Sequence, residues 1–446
     1  MRVCGVYFVF VILLSACTNG VSHLDIALQQ AKHNKAELEK VLKHFKHDSL
    51  KYRAACFLIE NMPGKYSILP YDSLDRYKNF LKIIPQNDPI SWDVRYSKIW
   101  HGFDSISKRQ LAGFSKIEDI KVITGDYLIK NIEYAFKIWE NGKIKDYCSF
   151  DEFCHYILPY RIDHEPLSNW REEGFQKFGH LLDSLMSPRE LALRIIKLGG
   201  MRYNIGMTKY PYKQSYAEML QTRWGTCDDM AAFLALSLRA IGIPASIDYV
   251  PAWANRSSSH CWNVVKDATG DFIEVGYGPE GKNEVVYKIS KIYRKKYDIP
   301  LCDVTSEYAM PLSDLTFRVP SQKDKQLISL CTFNNHDWVP VALSKVMNGS
   351  VLFESVGRGI LWGDNQIRTY LNEGKGIVFL AFISQNGRLN NKPIGFPIIL
   401  LEDGTIKELC ASTEKESIIL YRKYPYYGSN NAIIPVSYTH LTLPTN

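Results

Sequence analysis

Apolar residues recur at every third or fourth position through much of the first half of the chain. Leu38, Val41, Leu42 and Phe45 form one such stripe, and an equivalent stripe runs through residues 126–139. Because residues at this spacing share one face of an α-helix, the pattern predicts amphipathic helices that pack through their apolar faces. The predicted helical segments are residues 24–61, 71–84, 126–139, 150–158 and 188–198.

The periodicity changes near Ala245. Residues 245–250, 260–265 and 272–277 are predicted strands, and Asp267–Asp271 is a hairpin signal between the last two. After about residue 301 the pattern is strand-like throughout, with turn pairs at Asn348-Gly349, Asn386-Gly387 and Asp403-Gly404. Short strands separated by regular turns predict a β-sandwich. The strands expected there are 315–319, 327–333, 338–343, 351–356, 376–383 and 398–401.

The N-terminus has the form of an export signal. An apolar run from Val3 to Leu14 is too short to span a bilayer, and it ends in Leu14-Ser-Ala-Cys17. This ending resembles a bacterial lipobox, which implies removal of residues 1–16 and lipidation of Cys17. The alternative is an ordinary secretory signal with a chance cysteine. We expect a cell-envelope lipoprotein held to the membrane by its lipid anchor, and Thr18 favours the outer membrane.

The composition argues against two classes of function, nucleic-acid binding and metal or cofactor chemistry. Of 446 residues, 46% are hydrophobic and 23% charged, with a formal net charge of +7. This is ordinary globular composition, and the basic residues are interleaved with acids rather than clustered. A nucleic-acid partner is therefore not expected. The ten cysteines include no CxxC pair, so neither a metal site nor another cofactor is predicted.

Cys227 is the strongest candidate for chemistry. Thr226 is a good N-cap residue and Asp229 completes a capping box, so Cys227 should lie in the first turn of a helix that ends before Gly242-Ile-Pro244. The free amides and dipole of a helix N-terminus favour a thiolate. Those amides could also receive an oxyanion. The alternative is that Cys227 is a small buried hydrophobic residue.

His260 is the candidate base. It precedes Trp262 on a predicted strand, where the two side chains share one face. The motifs Gly225-Thr-Cys227-Asp-Asp, Arg239-Ala-Ile-Gly-Ile-Pro-Ala245 and His260-Cys-Trp262-Asn263 together resemble the transglutaminase-like superfamily in order and spacing. The resemblance implies a papain-like fold in which Cys227 is the nucleophile and His260 its base.

Two acidic residues are candidates for the third catalytic residue. The superfamily resemblance implies an Asp on the strand after the histidine, but Gly276 falls near that place. Glu274 is the nearest acid on the strand, and Asp271 lies in the preceding turn. The strand register decides whether Glu274 faces His260. Without an acid, catalysis could be weak or absent.

Three further residues are candidates for the oxyanion or substrate site. Gln221 precedes Cys227 by six residues, a spacing similar to that of the oxyanion glutamine in papain-like proteases, although a helix surface position is the commoner explanation. Trp224 could line the acyl site or pack in the core. Trp262 could wall the same site.

We expect an α+β protein with an N-terminal helical region, a transglutaminase-like or papain-like α+β core and a C-terminal β-sandwich domain. The predicted function is a thiol-dependent amide hydrolase or acyltransferase acting on a peptide, protein or other amide. The alternative is an inactive binding lipoprotein whose β-sandwich holds a glycan or protein. The predicted segments are 1–16 signal, 17–112 helical, 113–298 core, 299–435 β-sandwich and 436–446 non-native tail.

Overall fold

The computed structural model confirms the mixed α+β class. It describes residues 22–69, 115–141, 143–183, 185–203, 213–254, 258–283, 287–299, 301–319, 325–334, 337–361, 376–385, 388–410, 419–421 and 435–437. The predicted signal and Cys17, the predicted helix 71–84 and the turn Asn386-Gly387 lie outside these residues. The domain boundaries and the non-native tail stay predictions.

The described α-helices lie between residues 23 and 240 and confirm the stripes at residues 38–45 and 126–139. Their apolar faces form one continuous core with helix α9 at its centre. None of the described helices has the length and apolar character needed to cross a bilayer. The helices are α1 His23–Ala31, α2 Lys35–His44, α3 Ser49–Glu60, α4 Gly125–Asn141, α5 Phe150–Tyr156, α6 Trp170–Phe178, α7 Pro188–Gly199, α8 Tyr216–Thr222 and α9 Cys227–Ala240.

The described strands include three short pairs, β1–β2, β3–β4 and β17–β18, beside larger sheets in the centre and the C-terminal part. The strands are β1 Tyr66–Leu69, β2 Ser115–Glu118, β3 Arg202–Tyr203, β4 Trp224–Gly225, β5 Ala245–Val250, β6 His260–Lys266, β7 Phe272–Val275, β8 Tyr293–Arg294, β9 Cys302–Asp303, β10 Leu312–Arg318, β11 Leu327–Asn334, β12 Asp337–Lys345, β13 Ser350–Gly357, β14 Ile377–Gln385, β15 Arg388–Leu400, β16 Ile406–Glu408, β17 Ile419–Tyr421 and β18 Pro435–Ser437.

The central sheet has the strand order β7-β6-β5-β8-β9, with antiparallel neighbours throughout. Helix α9 packs on one face of it through Ala231 and Ala235, which meet Ile247 and Cys261. The guanidinium of Arg239 donates to the carbonyl of Ala245 from Nε at 3.0 Å, which ties the end of the helix to the start of β5. The end of α9 is therefore fixed against the strand that follows it.

The C-terminal sheets have the arrangement expected of a β-sandwich. Strands β12-β11-β14-β15-β16 form one sheet and β10-β13 a second. Leu315 and Phe353 of the smaller sheet share a buried cluster with Ile328 and Phe379 of the larger one. Asn348-Gly349 forms a tight turn between β12 and β13, with positive φ at both residues, which confirms the turn predicted there.

Several elements escaped the sequence pattern, among them α6, α8 and β1. The seven-residue helix α8 is too short to show a stripe, and α6 is rich in charged residues with a glycine inside it. Strand β1 pairs with β2, which lies far along the chain. No local periodicity can reveal such a pairing.

Candidate active site

Cys227 is the first residue of α9, and the turn before it fixes its position. Thr226 Oγ1 accepts a hydrogen bond from the amide of Asp229 at 3.4 Å, and Asp229 Oδ2 accepts one from the amide of Thr226 at 2.9 Å. This confirms the predicted capping box. A Cβ atom on Gly225 would lie 2.5 Å from the Cβ of Asp229, so the approach to the helix needs a glycine. The Cys227 side chain is half-buried.

The sheet face beneath α9 brings a second sulfur to this place. Cys261 is the second residue of β6, and its thiol lies 3.5 Å from Asp228 Oδ1 in the first turn of the helix. Two residues on, Asn263 Nδ2 donates to the carbonyl of Ala231 at 2.8 Å. Alternate residues of a strand share a face. Cys261 and Asn263 are therefore both directed at the helix that carries Cys227.

His260 begins the same strand and lies between two indoles. Its ring stacks on Trp253 with centroids 5.8 Å apart and an interplanar angle of 22°, and the Trp262 ring lies 5.9 Å away. Trp262 is buried and donates through Nε1 to the hydroxyl of Tyr308 at 2.9 Å. The two indoles hold the imidazole at the start of β6.

Both neighbours act on the acidity of Cys227. The pKa of its thiol is lowered to about 5, first by a hydrogen bond with the Cys261 thiol and then, against desolvation, by the hydrogen bond and charge of His260. The α9 N-terminus favours the thiolate in the same direction. At neutral pH, Cys227 is therefore held as a thiolate beside a histidine.

Asp228 opposes the thiolate, but its charge is balanced. Lys213 Nζ lies 3.5 Å from Asp228 Oδ2, and Asp163 is bridged to Lys295 at 3.1 Å in the same network. Burial would raise the pKa of Asp228, yet Lys213 and Lys295 hold it below its usual range. The paired lysines thus offset the repulsion that a lone aspartate would exert on Cys227.

The strand register answers which face Glu274 occupies. Glu274 is paired with Val264, and Val264 shares a sheet face with Trp262 and His260. Glu274 therefore lies on the face of His260. It is four residues farther along the strand, a separation of roughly 13 Å at the rise of an extended chain. Asp271 precedes β7 and is hydrogen-bonded into the turn with Asp267 and Thr269.

Asn283 fills the position where the resemblance implies an acid. A Cβ atom on Gly276 would lie 2.5 Å from Asn283 Oδ1 and 2.7 Å from the carbonyl of Lys282. Asn283 Nδ2 donates to Glu274 Oε2 at 3.1 Å. Continued by one pair, the β6–β7 register places residue 276 opposite Trp262 and diagonal to His260. The carboxamide of Asn283 thus occupies space that a side chain at position 276 would need.

One segment of the chain matches a known family. Residues 180–276 match the model of the transglutaminase-like superfamily. The chain contains a transglutaminase-like domain. It is also similar to a solved structure of a proposed cysteine protease from Cytophaga hutchinsonii, at 14% identity over 44% of this chain and 51% of that one. The TM-score of 0.21 adds no argument about fold or activity. Among curated protein sequences, none matches this chain.

The other predicted residues of the transglutaminase-like domain surround Cys227 less closely. Gln221 is exposed on the last turn of α8, the position that the commoner explanation expected. Trp224 is half-buried in β4, and its carbonyl accepts a hydrogen bond from the buried Gln214 at 2.8 Å. Trp262 packs behind His260, as described above. Among the described residues, no group of His, Cys, Asp or Glu side chains could hold a metal ion.

The sequence reasoning did not single out Cys261 or Asn283. Cys261 sits inside the His260-Cys-Trp262 motif, and its place one residue after the base could have marked it as facing the nucleophile helix. Asn283 carries no local signal, because a loop of seven residues brings it back beside Gly276. Only the tertiary structure shows that Asn283 fills the space left by the missing side chain at Gly276.

Proposed function

We propose that the transglutaminase-like domain is a thiol-dependent amide hydrolase or acyltransferase with Cys227 as nucleophile and His260 as base. The observation that carries the proposal is the position of Cys227 at the start of α9, where Cys261 and His260 lower the pKa of its thiol to about 5. Superfamily membership at residues 180–276 supports the same class of thiol chemistry.

In the proposed reaction, the Cys227 thiolate attacks the carbonyl carbon of an amide. The developing oxyanion is received by backbone amides at the start of α9, including that of Cys227. His260 gives its proton to the leaving amine as the C–N bond breaks, which leaves a thioester on Cys227. Water then resolves the thioester in hydrolysis, or a second amine does so in acyl transfer. Hydrolysis is favoured because water needs no second binding site.

The third group in the proposal is Glu274 acting through Asn283. Asn283 Nδ2 bonds Glu274, which directs the opposite end of the carboxamide, Oδ1, away from that carboxylate. A carbonyl oxygen there can accept a hydrogen bond from the imidazole N–H and favour its charged form. Glu274 and Asn283 are then positioning residues, and neither touches the reacting atoms.

We propose a substrate in the cell envelope, reached by a chain that is anchored through a lipid on Cys17. The support is the Leu14-Ser-Ala-Cys17 sequence after an apolar run. A peptide, protein or other amide would suit the nucleophile. This proposal places the domain beside a membrane, and the outer membrane is preferred because Thr18 follows the cysteine.

A second candidate is a binding lipoprotein without catalysis. Gly276 favours it, because the position cannot carry an acidic side chain while Asn283 and Lys282 occupy the space. In this case the C-terminal β-sandwich would hold a glycan or protein partner. The half-exposed, activated Cys227 favours the catalytic candidate instead, since a structural cysteine needs no imidazole partner.

The test measures the cleavage of a panel of peptide p-nitroanilides by the purified protein, with and without acceptor amines. We expect slow but measurable release of p-nitroaniline, with a thioester adduct on Cys227 visible by mass spectrometry. Cys227→Ser should lose both, and Cys331→Ser, which changes a buried free cysteine of β11, should lose neither. Equal cleavage by Cys227→Ser would refute the mechanism. No cleavage together with an ordinary, unactivated thiol would favour the binding candidate.

A further inference from the structure

Cys227 and Cys261 form a pair of thiols that the amide chemistry does not require. Cys261 comes from β6 and Cys227 from α9, so neither lies near the other in sequence. The Cys227 side chain packs against the buried cluster that contains Cys261, and the Cys261 thiol lies 3.5 Å from Asp228 Oδ1 in the first turn of α9. Both cysteines are free, as are the other described cysteines of the chain.

The two sulfurs differ in exposure. Cys227 is half-buried and can be reached from solvent, whereas Cys261 is 5% exposed and lies behind it against α9. An oxidant from solvent would therefore react with Cys227 first, and the buried thiol of Cys261 could then react with the oxidised Cys227. This order of access is that of a reactive thiol backed by a resolving thiol.

We infer that Cys227 and Cys261 form a reversible disulfide when a hydroperoxide oxidises Cys227. The inference rests on the contact between two free thiols and not on amide cleavage, so it goes beyond the proposed function. Cys261 is the resolving cysteine and Cys227 the site of first oxidation. The bond would block the nucleophile and protect it from irreversible oxidation.

The steps balance without another reactant. The Cys227 thiolate attacks one oxygen of the hydroperoxide, the O–O bond breaks, and the departing alkoxide or hydroxide takes a proton. Cys227 is thereby oxidised by two electrons to a sulfenic acid and the peroxide is reduced. The Cys261 sulfur then attacks the sulfur of Cys227. The S–S bond forms, the S–O bond breaks, and hydroxide leaves with the proton of Cys261 as water.

The disulfide forms when the two sulfurs approach to about 2 Å. Both side chains lie at the ends of elements, Cys227 in the first turn of α9 and Cys261 at the second residue of β6. Asp228 stands beside Cys261, and its carboxylate can pass the proton of Cys261 to the leaving hydroxide as the sulfur attacks.

The experiment treats the purified protein with hydrogen peroxide, quenches free thiols with an alkylating reagent, and maps cysteines by mass spectrometry without reduction. We expect a peptide pair joined through Cys227 and Cys261, lighter by two hydrogens than the sum of the two peptides. Dithiothreitol should restore alkylation of both residues. Cys331→Ser, the matched change of another buried free cysteine, should leave the pair unchanged.

Variants at Cys261 test the resolving role. Cys261→Ser and Cys261→Ala should lose the linked pair, and Cys227 should instead gain two or three oxygens that dithiothreitol does not remove. If both variants fail to fold, the mass-spectrometric map of cysteines in the oxidised wild-type protein still tests the inference. The inference is overturned if wild-type Cys227 is over-oxidised while Cys261 stays reduced, or if Cys227 stays unoxidised. A protein that forms the pair but cleaves no amide would uphold this inference and remove the proposed function.

Discussion

The two faces of the central sheet carry polar groups of opposite character. On the face toward α9, Cys261 contacts the half-exposed thiol of Cys227, which keeps a reactive lone pair. On the opposite face, the fully buried Asp248 accepts from Arg294 Nε at 2.8 Å and from the Tyr308 hydroxyl at 2.6 Å. The face toward α9 meets the reactive sulfur of Cys227, whereas the opposite face holds the carboxylate of Asp248, both of whose oxygens accept hydrogen bonds.

The difference shows how a reactive group differs from a structural one: the structural group has all its hydrogen bonds made. Burial raises the pKa of Asp248, while hydrogen bonds and charge from Arg294 oppose that rise, so the group serves as a fixed acceptor. Tyr308 also accepts from Trp262 Nε1, which links this cluster to the indole behind His260. The saturated face therefore holds the histidine in place for the reactive face. Changes on the two faces should have different consequences.

The largest expected effect is on activity. Cys227→Ser should reduce amide cleavage by roughly a thousandfold or more, because a hydroxyl in place of the thiolate has a far higher pKa. The free energy of unfolding should change little, since the Cys227 side chain is only half-buried and serine has nearly the same size. Steady-state kinetics and urea denaturation of the same preparation measure both. A large loss of stability with activity retained would reverse the assignment of this face.

The next effect is on stability. Asp248→Ala should cost about 3–5 kcal/mol of the free energy of unfolding, because it leaves the guanidinium of Arg294 buried without its main partner. Glu307 still lies 2.9 Å from Arg294, but it is half-exposed and offsets only part of the loss. Urea denaturation measures the change, and alkylation of Cys227 in the folded protein should persist. A neutral result would show that the opposite face does not support the fold.

A smaller effect, on kcat, is expected for Asn283 and Glu274, which form the third group of the proposed site. Asn283→Ala should lower kcat by roughly 10- to 100-fold, the cost of about 1.5–3 kcal/mol for a lost hydrogen bond to a charged group. The loss should fall on kcat and leave KM nearly unchanged, because the imidazole loses the group that orients it and the substrate site is untouched. Glu274→Gln should lower kcat in the same direction. An unchanged kcat in both variants would remove these residues from the mechanism.

The smallest effect concerns the turn before the nucleophile. Thr226→Ala removes the N-cap hydroxyl of α9 and should cost about 1 kcal/mol of the free energy of unfolding. Thr226→Ser keeps the hydroxyl and is the matched control, with an expected change of a few tenths of a kcal/mol. Thermal or urea unfolding distinguishes the two. Equal losses in both variants would mean that the methyl group, and not the cap, matters.

Much of the site could be predicted from the sequence because its signals are local. The cap Thr226, the helix that follows and its end at Gly242 depend on neighbours within four residues, and the structure has each of them. The strand starting at His260 was predicted to within one residue. These features follow from periodicity and capping, which need no tertiary contact.

The remainder depends on contacts between distant segments. The register that sets Glu274 opposite Val264 follows from how β6 and β7 pair, and a shift by one residue would turn the carboxylate to the other face. The place of Asn283 beside Gly276 follows from a loop, and strand β1 is defined by a partner far along the chain. Periodicity along one segment cannot encode such pairings.

The most direct test of the central claim is the rate of iodoacetamide alkylation at Cys227 as a function of pH, in wild type and in His260→Ala. A thiolate reacts above its pKa, so the wild-type rate should rise through about pH 5 and level off below pH 7. The rise in His260→Ala should move toward the pH of an ordinary thiol, about 8.5. A wild-type profile like that of an ordinary thiol, unchanged in His260→Ala, would contradict the activated nucleophile.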